Sequence, residues 1–447
     1  MRAPLPHRIA VLGGGESGIG AALLAAHRGV PVFLSEGKSL GPGFRAELEA
    51  AGIPFEEGQH SLDRLLAAEA VVKSPGIPPS HPAVVALKEA GVPIWSDIEW
   101  FYRNCPREAK IAAITGSNGK TTTKELIFSV LSQKYQCFAT AGNLNNHIGV
   151  PLSILSIKPN DEIAVIEMGA NKQGDIKELV DIAQPTHGLI TNIGKAHLEG
   201  FGGIEGVKKG KGELFDFLAQ NSSTVFLPEI KNVVHEMYAE RVFHHTILAN
   251  QDMPIQLVAS TPTIIYQTTS EEKITTQLPG FYNFENIQMA IAIGKHFNLT
   301  DAACNQGIAN YLPSNHRSQF IKSGSNQVLM DAYNANPTSM HVAISHFAGT
   351  PNDPKVLILG DMYELGEESM KEHADLGELI STFKFEKILL VGEQMQHALV
   401  HLPQAFYFPD KFGLHNWLQD NPINNSFILI KGSRGIQLET VLPFLAI

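Results

Sequence analysis

A glycine-rich loop, Gly116-Ser117-Asn118-Gly119-Lys120-Thr121, followed by Thr122, joins a run of apolar residues to a helical pattern. These residue types suit phosphate chemistry. Glycines let the backbone approach an anion closely, and the N–H groups at a helix start favour negative charge. Lys120 would reach the terminal phosphates of a nucleoside triphosphate, and the Thr121 hydroxyl would sit on Mg²⁺. The spacing departs from the usual G-x-x-x-x-G-K-[ST], because Ile114 stands where the first glycine belongs. A plain tight turn between strand and helix is the competing reading.

Other groups could share that chemistry. Glu167 ends one apolar run and His197 follows another, at 189–193. A carboxylate and an imidazole beside a phosphate loop suit a second Mg²⁺. Lys208, Lys209 and Lys211 read by themselves as a solvated basic face. Gly13-x-Gly15-x-x-Gly18 follows the first apolar run, with Glu36 about twenty residues on, as in a dinucleotide fingerprint. That motif alone suggests an NAD-dependent oxidoreductase. Against it, no second site offers hydride chemistry, and the phosphate loop calls for a triphosphate. A catalytically silent binding module would be expected to have lost Lys120 or the metal-binding side chains, and both remain.

The elements that must position these groups alternate between strand and helix. Nine apolar runs read as buried strands: RIAVLGG, PVFLS and AVVKS; IAAITG, AVIEMG and GLITNIG; KVLILGD, KILLVG and FILIKG. SGIGAALLAAHRG and TTTKELIFSVLSQKY read as helices between them. Such alternation predicts an α/β protein with parallel sheets, whose ligands bind at the carboxyl ends of the strands. The 447 residues suggest two to four domains, and 44% hydrophobic with 18% charged residues fits a folded enzyme. A net charge of -11 argues against a nucleic-acid partner. No apolar run approaches the roughly 18–20 residues that cross a bilayer. The N-terminus lacks a signal-peptide core, and three scattered cysteines form no disulfide framework, so a cytoplasmic setting is expected.

Composition changes along the chain. Residues 1–110 hold seven of the ten arginines and carry 11 basic and 12 acidic side chains, a net of -1 against -10 for the rest. Either the domains simply differ or the segments have different origins. Breaks at CPREAK (105–110) and at Pro313 divide the chain into expected domains 1–108, 109–312 and 313–447.

The departure at Ile114 is informative. TGSNGKTTT resembles the phosphate loop of the Mur ligases, the ATP-dependent amide-forming enzymes of peptidoglycan precursor synthesis. AGNLNNHIGVPLSIL, VIEMGANKQGDI, TNIGKAHLEGFGG, KGKGELF, YNFENI, NHRSQ, DAYNANPTSM, ILGDMYELGEES and LIKGSRG, between about 111 and 440, resemble the member that adds D-alanyl-D-alanine. VLGGGESGIGAALLA, VVKSPGIPPSHP and IWSDIEWFYR resemble the first domain of the member that adds D-glutamate. With the composition break, this reads as a hybrid chain, natural or engineered.

The resemblance implies three α/β domains: a Rossmann-like N-terminal domain for the UDP-muramoyl group, a central phosphate-loop ATPase and a Rossmann-like C-terminal domain for the acceptor. It implies an acyl phosphate intermediate, ATP and Mg²⁺ as cofactors, and a monomer. The alternative activity is D-glutamate addition dictated by the first domain. Glu167, His197 and Thr121 take the family's metal positions, and Lys211 that of a lysine carbamylated by CO₂. A carbamate is an anion that helps hold metal, and its formation needs a neutral amine, so the surroundings must depress the lysine pKa. Asn286 would contact adenine, Arg317 the ATP phosphates and Asp331 the ribose, although Asn286 could be a helix cap and Asp331 a turn residue. Tyr282 stands where relatives often have His. Gly15, Glu16, Ser17, Gly18 and Glu36 would lie near the uridine, and Ser74, Pro75 and Gly76 near the diphosphate. Asn143, Asn334 and Asn336 are read as further substrate contacts. The residues suggest no convincing base for the acceptor amine.

Overall fold

The computed structural model describes residues 6–104, 109–313 and 317–446. CPREAK's Cys105 and Pro106, and Asn315 and His316 of NHRSQ, lie outside the described residues. The chain divides into two compact units: residues to 107 with Ile154–Ser156, and the remainder.

In the first unit, five parallel strands run in the spatial order Phe55–Glu57, Val32–Glu36, Ile9–Leu12, Ala70–Lys73, Ile94–Ser96. Side chains alternate across a strand. Ile9 and Val11 therefore enter one apolar cluster with Trp100, while Ala10 and Leu12 enter the other with Leu65 and Leu87. Strand order reverses between Ile9–Leu12 and Ala70–Lys73, which opens a crevice at their carboxyl ends. Residues 13–18 and 74–76 emerge there.

The second unit holds three sheets. The central one is all parallel, in the order His245–Leu248, Thr224–Leu227, His187–Ile190, Lys110–Thr115, Ile163–Glu167, Cys137–Ala139. Its switch point is the end of Lys110–Thr115, where the phosphate loop begins. The helix Lys120–Leu131 packs its buried Leu126, Ile127, Val130 and Leu131 into the same core as the helix Asn283–His296.

The C-terminal sheet runs Gln319–Ser323, Asn326–Asp331, Phe427–Lys431, Lys355–Gly360, Lys387–Val391, Phe406–Phe408. All nine apolar runs form strands. The expectation of parallel sheets needs two corrections. Gln319–Ser323 is antiparallel to Asn326–Asp331, because the turn at Gly324 (φ 58°) returns the chain directly. A three-stranded antiparallel sheet, Ile255–Ala259, Ile265–Thr268 and Lys273–Thr275, was not foreseen. Its strands are short and largely solvent-facing, so they lack an apolar run. Among the described residues no helix is long and apolar enough to cross a membrane.

Candidate active site

The phosphate loop is shaped by its glycines. Gly116 has φ 147°, and a Cβ there would lie 2.0 Å from Thr191 Oγ1. Gly119, at φ 77°, caps the helix Lys120–Leu131 without a side-chain acceptor, leaving the helix-start N–H groups to the loop. The strand end after His187–Ile190 braces the loop. Ser117 N–H donates to the Asn192 carbonyl at 2.9 Å, Asn118 N–H to Asn192 Oδ1 at 2.9 Å, and Thr191 Oγ1 to the Asn118 carbonyl at 2.6 Å.

The loop opens on a cavity of about 560 Å³, walled by the central and C-terminal parts of the second unit. Of the expected site residues, Ser117, Asn118, Gly119, Lys120, Thr121, Thr122, Asn143, Glu167, His197, Asn286, Arg317, Asp331, Asn334 and Asn336 line it, whereas Gly116 and Lys211 do not. Lys120 Nζ donates to the carbonyls of Gly116 at 2.7 Å and Ser117 at 3.3 Å. Burial lowers its pKa, with Arg317 adding to the effect and Glu167 opposing it. The Arg317 guanidinium stacks 3.7 Å over the Tyr333 ring, and its buried Nε has no partner. A lysine satisfied only by carbonyls and a buried guanidinium nitrogen with no acceptor fit an anionic ligand.

The cation donors are oxygen-rich. Thr121 Oγ1 donates to Glu167 Oε2 at 2.9 Å, and Asn145 Nδ2 to Glu167 Oε1 at 2.8 Å. A hydroxyl and one carboxylate suit Mg²⁺, which commonly takes one or two carboxylates plus phosphate and water. Among the described residues no cluster of three or more His, Cys, Asp or Glu side chains forms. His197, in a left-handed conformation (φ 54°), turns Nδ1 to within 2.5 Å of Glu364 Oε2.

Lys211 sits on the helix Ile204–Gln220 and is 1% exposed, its Nζ 5.3 Å from the centre of the Phe201 ring. Burial first, and the Lys120 ammonium second, bring its pKa down to about 7, against the pull of Asp175 and Glu213. The depression required of a carbamylated lysine is therefore present. Lys208 pairs with Glu205 at 2.8 Å and Lys209 is exposed, as a solvated face requires.

Both amide groups of Asn286 are engaged: Oδ1 accepts from Thr123 Oγ1 at 3.0 Å and Nδ2 donates to Asn283 Oδ1 at 2.9 Å. It lies one turn inside its helix, so it is not a cap. Tyr282 Oη is 3.1 Å from Ser318 Oγ. Asp331 ends a strand and pairs at 2.5 Å with Lys431, its register partner on the next strand. Lys431 lines the cavity and was not singled out in the sequence, nor was Asn145. Asn336 caps the helix Pro337–Ala348, and its Nδ2 donates to Asn118 Oδ1 of the phosphate loop at 2.8 Å. Asn334 Oδ1 accepts the Ala335 N–H at 2.9 Å.

In the first unit, the candidate residues gather at the switch point. The helix Glu16–His27 starts from Gly15, and a Cβ on Gly18 would meet the Gly13 carbonyl at 1.9 Å, so close helix–strand packing demands glycine. Ser74 Oγ donates to that carbonyl at 3.1 Å, and Glu36 Oε2 accepts the Gly14 N–H at 2.5 Å. Gly15, Glu16, Pro75 and Gly76 are exposed, while Ser17 and Glu36 are half-buried.

Comparison with known proteins fits this geometry. The chain is 35% identical over 354 residues to the UDP-N-acetylmuramoyl-tripeptide–D-alanyl-D-alanine ligase of Escherichia coli, covering 77% of this chain and 78% of that protein. Its counterpart from Bacillus subtilis is 32% identical over 343 residues, covering 74% and 75%. The chain belongs to the Mur ligase family. Domain models match this Mur ligase in order: Mur ligase MurD-like, N-terminal domain, at 7–96; Mur ligase middle domain at 114–294; and Mur ligase, glutamate ligase domain, at 316–434. The fold of MurF from Acinetobacter baumannii superimposes with a TM-score of 0.70 at 25% identity, covering 93% of this chain and 90% of that one. MurF ligase from Thermotoga maritima in complex with ADP gives 0.69 at 22% identity, covering 93% and 94%. This Mur ligase is thus a three-domain, ATP-dependent ligase. Its first domain matches the MurD-like type, a match that carries no statement about the chain's origin.

Proposed function

We propose that this Mur ligase joins D-alanyl-D-alanine to a UDP-N-acetylmuramoyl-peptide. The γ-phosphoryl group of ATP passes to the peptide carboxylate, giving an acyl phosphate and ADP. The dipeptide amine, arriving neutral, attacks the acyl carbon, loses a proton and displaces phosphate. The observation that carries this reading is the cavity itself. Lys120 and Arg317, whose buried Nε is unpaired, line it from the central and C-terminal parts of the second unit, beside the Thr121–Glu167 pair. Relatives at 32% and 35% identity bear the D-alanyl-D-alanine ligase name.

Lys120 and Arg317 neutralise charge spread over the transferring phosphoryl group, and the loop N–H groups orient it. Thr121 and Glu167 would hold one Mg²⁺, and His197 with a carbamate on Lys211 would hold a second. Bound there, the cation would polarise phosphate oxygens. Asp331 and Lys431 meet the ribose side of the nucleotide, and residues 15–18, 36 and 74–76 take the UDP group. The division at 1–108, 109–312 and 313–447 assigns donor, ATP and acceptor in that order. The enzyme is proposed to act as a cytoplasmic monomer, with neither membrane nor nucleic acid as partner.

Phosphate release across a panel of UDP-muramoyl-peptides and amine acceptors tests this reading. Release is expected with D-alanyl-D-alanine. Release with D-glutamate and UDP-muramoyl-alanine alone would assign the activity to the first domain instead.

A further inference from the structure

Lys124 is a charge that the nucleotide chemistry leaves unused. It is 0% exposed, on the same helix as Lys120 and Thr121. A lysine is almost never fully buried unless it is paired. Here Nζ donates to the Thr140 carbonyl at 2.5 Å and meets Glu125 Oε1 at 2.8 Å.

What Thr140 does explains the arrangement. It is 1% exposed, and its hydroxyl accepts the Glu167 N–H at 3.0 Å, while its own N–H donates to the Val165 carbonyl at 3.0 Å. Further along the same segment, Asn145 Nδ2 binds Glu167 Oε1 at 2.8 Å and the Asn145 carbonyl accepts the Gly169 N–H at 2.7 Å. Residues 140–145 therefore grip Glu167 at both its backbone and its carboxylate. The opposite carboxylate oxygen is held by Thr121, from the phosphate-loop helix. Lys124 is the side chain that ties the gripping segment to that helix. The two sides of the carboxylate are thereby kept in register.

We propose that Lys124 is a positioning residue, fixing the Glu167 carboxylate against Thr121 and so setting the affinity for the divalent cation. The inference rests on reading Thr121 and Glu167 as that cation's ligands. Groups that orient a ligating carboxylate typically govern metal affinity by about 10–100-fold when removed.

The test is Mn²⁺ binding to the full chain with ADP present, followed by the EPR signal of free Mn²⁺. Lys124→Met should raise the Mn²⁺ Kd by about tenfold while leaving metal-free ADP affinity unchanged. Lys124→Arg should recover part of the loss. Thr140→Val removes the hydroxyl that holds the Glu167 N–H and should weaken Mn²⁺ in the same way, and it serves if Lys124→Met does not fold. Glu167→Gln separates the two readings. If it weakens Mn²⁺ while folded Lys124→Met or Thr140→Val binds like the parent, the positioning role is overturned and the ligand assignment stands. If Glu167→Gln also binds like the parent, the ligand assignment itself fails. Equal loss of metal-free ADP binding in Lys124→Met would also overturn the proposal, by marking general loosening of the helix.

Discussion

The environment of Lys211 gives a prediction whose size follows from the structure. Burial and the neighbouring Lys120 bring its pKa from an ordinary 10.5 to about 7. At pH 7.5 an ordinary lysine is neutral about 0.1% of the time and this one about three quarters, an increase on the order of 10³-fold in the form that attacks CO₂. The Lys120 ammonium repels a Lys211 ammonium but attracts a carbamate, so one neighbour both frees the amine and favours the adduct. Lys211→Ala should lower phosphate release by on the order of 10²-fold, and short carboxylic acids should partly restore it by replacing the carbamate. ¹³C-bicarbonate should give a carbamate resonance in the parent that Lys211→Ala lacks. The sign with pH can also be worked out. The folded pKa lies below the unfolded one, so the cost of burying the ammonium is fully present below about pH 7 and is relieved as pH rises toward 10.5. In CO₂-depleted buffer the parent should therefore gain stability relative to Lys211→Met across that window. A Lys211→Ala enzyme as active as the parent, with no carbamate resonance in either, would refute the reasoning.

Lys120→Ala should cost on the order of 10²-fold in turnover with little change in melting temperature, since its charge acts mainly in the phosphoryl-transfer transition state; near-normal turnover would remove its assigned role. Gly116→Ala drives a Cβ to 2.0 Å from Thr191 Oγ1 at a φ of 147°, and ATP binding measured by calorimetry should be lost. Asp331→Ala takes the carboxylate from Lys431, whose side chain is 3% exposed, and leaves it the Asn334 carbonyl at 3.3 Å; it should destabilise by about 3 kcal/mol in denaturant titrations. Lys431→Met, which removes the buried charge as well, should cost less. UDP-nucleotides should bind through residues 15–18 and 74–76, yet ligation by this chain should be slower than in an enzyme whose first domain matches its donor, because reacting atoms must meet at about 3–3.5 Å. Native-like rates with a muramoyl-tripeptide donor would make the first domain a tolerant anchor.

The phosphate loop was legible because its information is local: glycines, lysine and threonine in one strand-to-helix junction. Glu167 was legible as a strand-end residue, since a parallel sheet delivers strand ends to one crevice, and His197 as a residue soon after another strand, at the start of the helix Leu198–Phe201. What escaped depends on pairing across the chain. Lys431 reads as the end of the apolar run FILIK, and its partner Asp331 lies 100 positions away, joined to it only by strand register. Asn145 stood inside a quoted motif, but its role depends on where Glu167 points. Lys124 looks like an exposed position on a polar helix until Thr140 folds beneath it. Glu36 is placed near the uridine from the glycine motif, and the sequence does not show that its carboxylate also accepts an N–H of its own glycine loop.

The bond between Asn336 and Asn118 has a thermodynamic consequence. Asn118 belongs to the phosphate loop and Asn336 to a helix cap of the C-terminal sheet's domain, so this amide pair joins the two walls of the nucleotide cavity, alongside the Tyr282–Ser318 and His197–Glu364 contacts. A ligand that needs both walls binds only the fraction of molecules in which they are together, and its apparent affinity is reduced by that fraction. Nucleotide affinity in this protein thus reports a conformational population as well as a set of contacts. Asn336, with no assigned phosphate contact, would enter the apparent Kd as one of the contacts that keep the cavity whole.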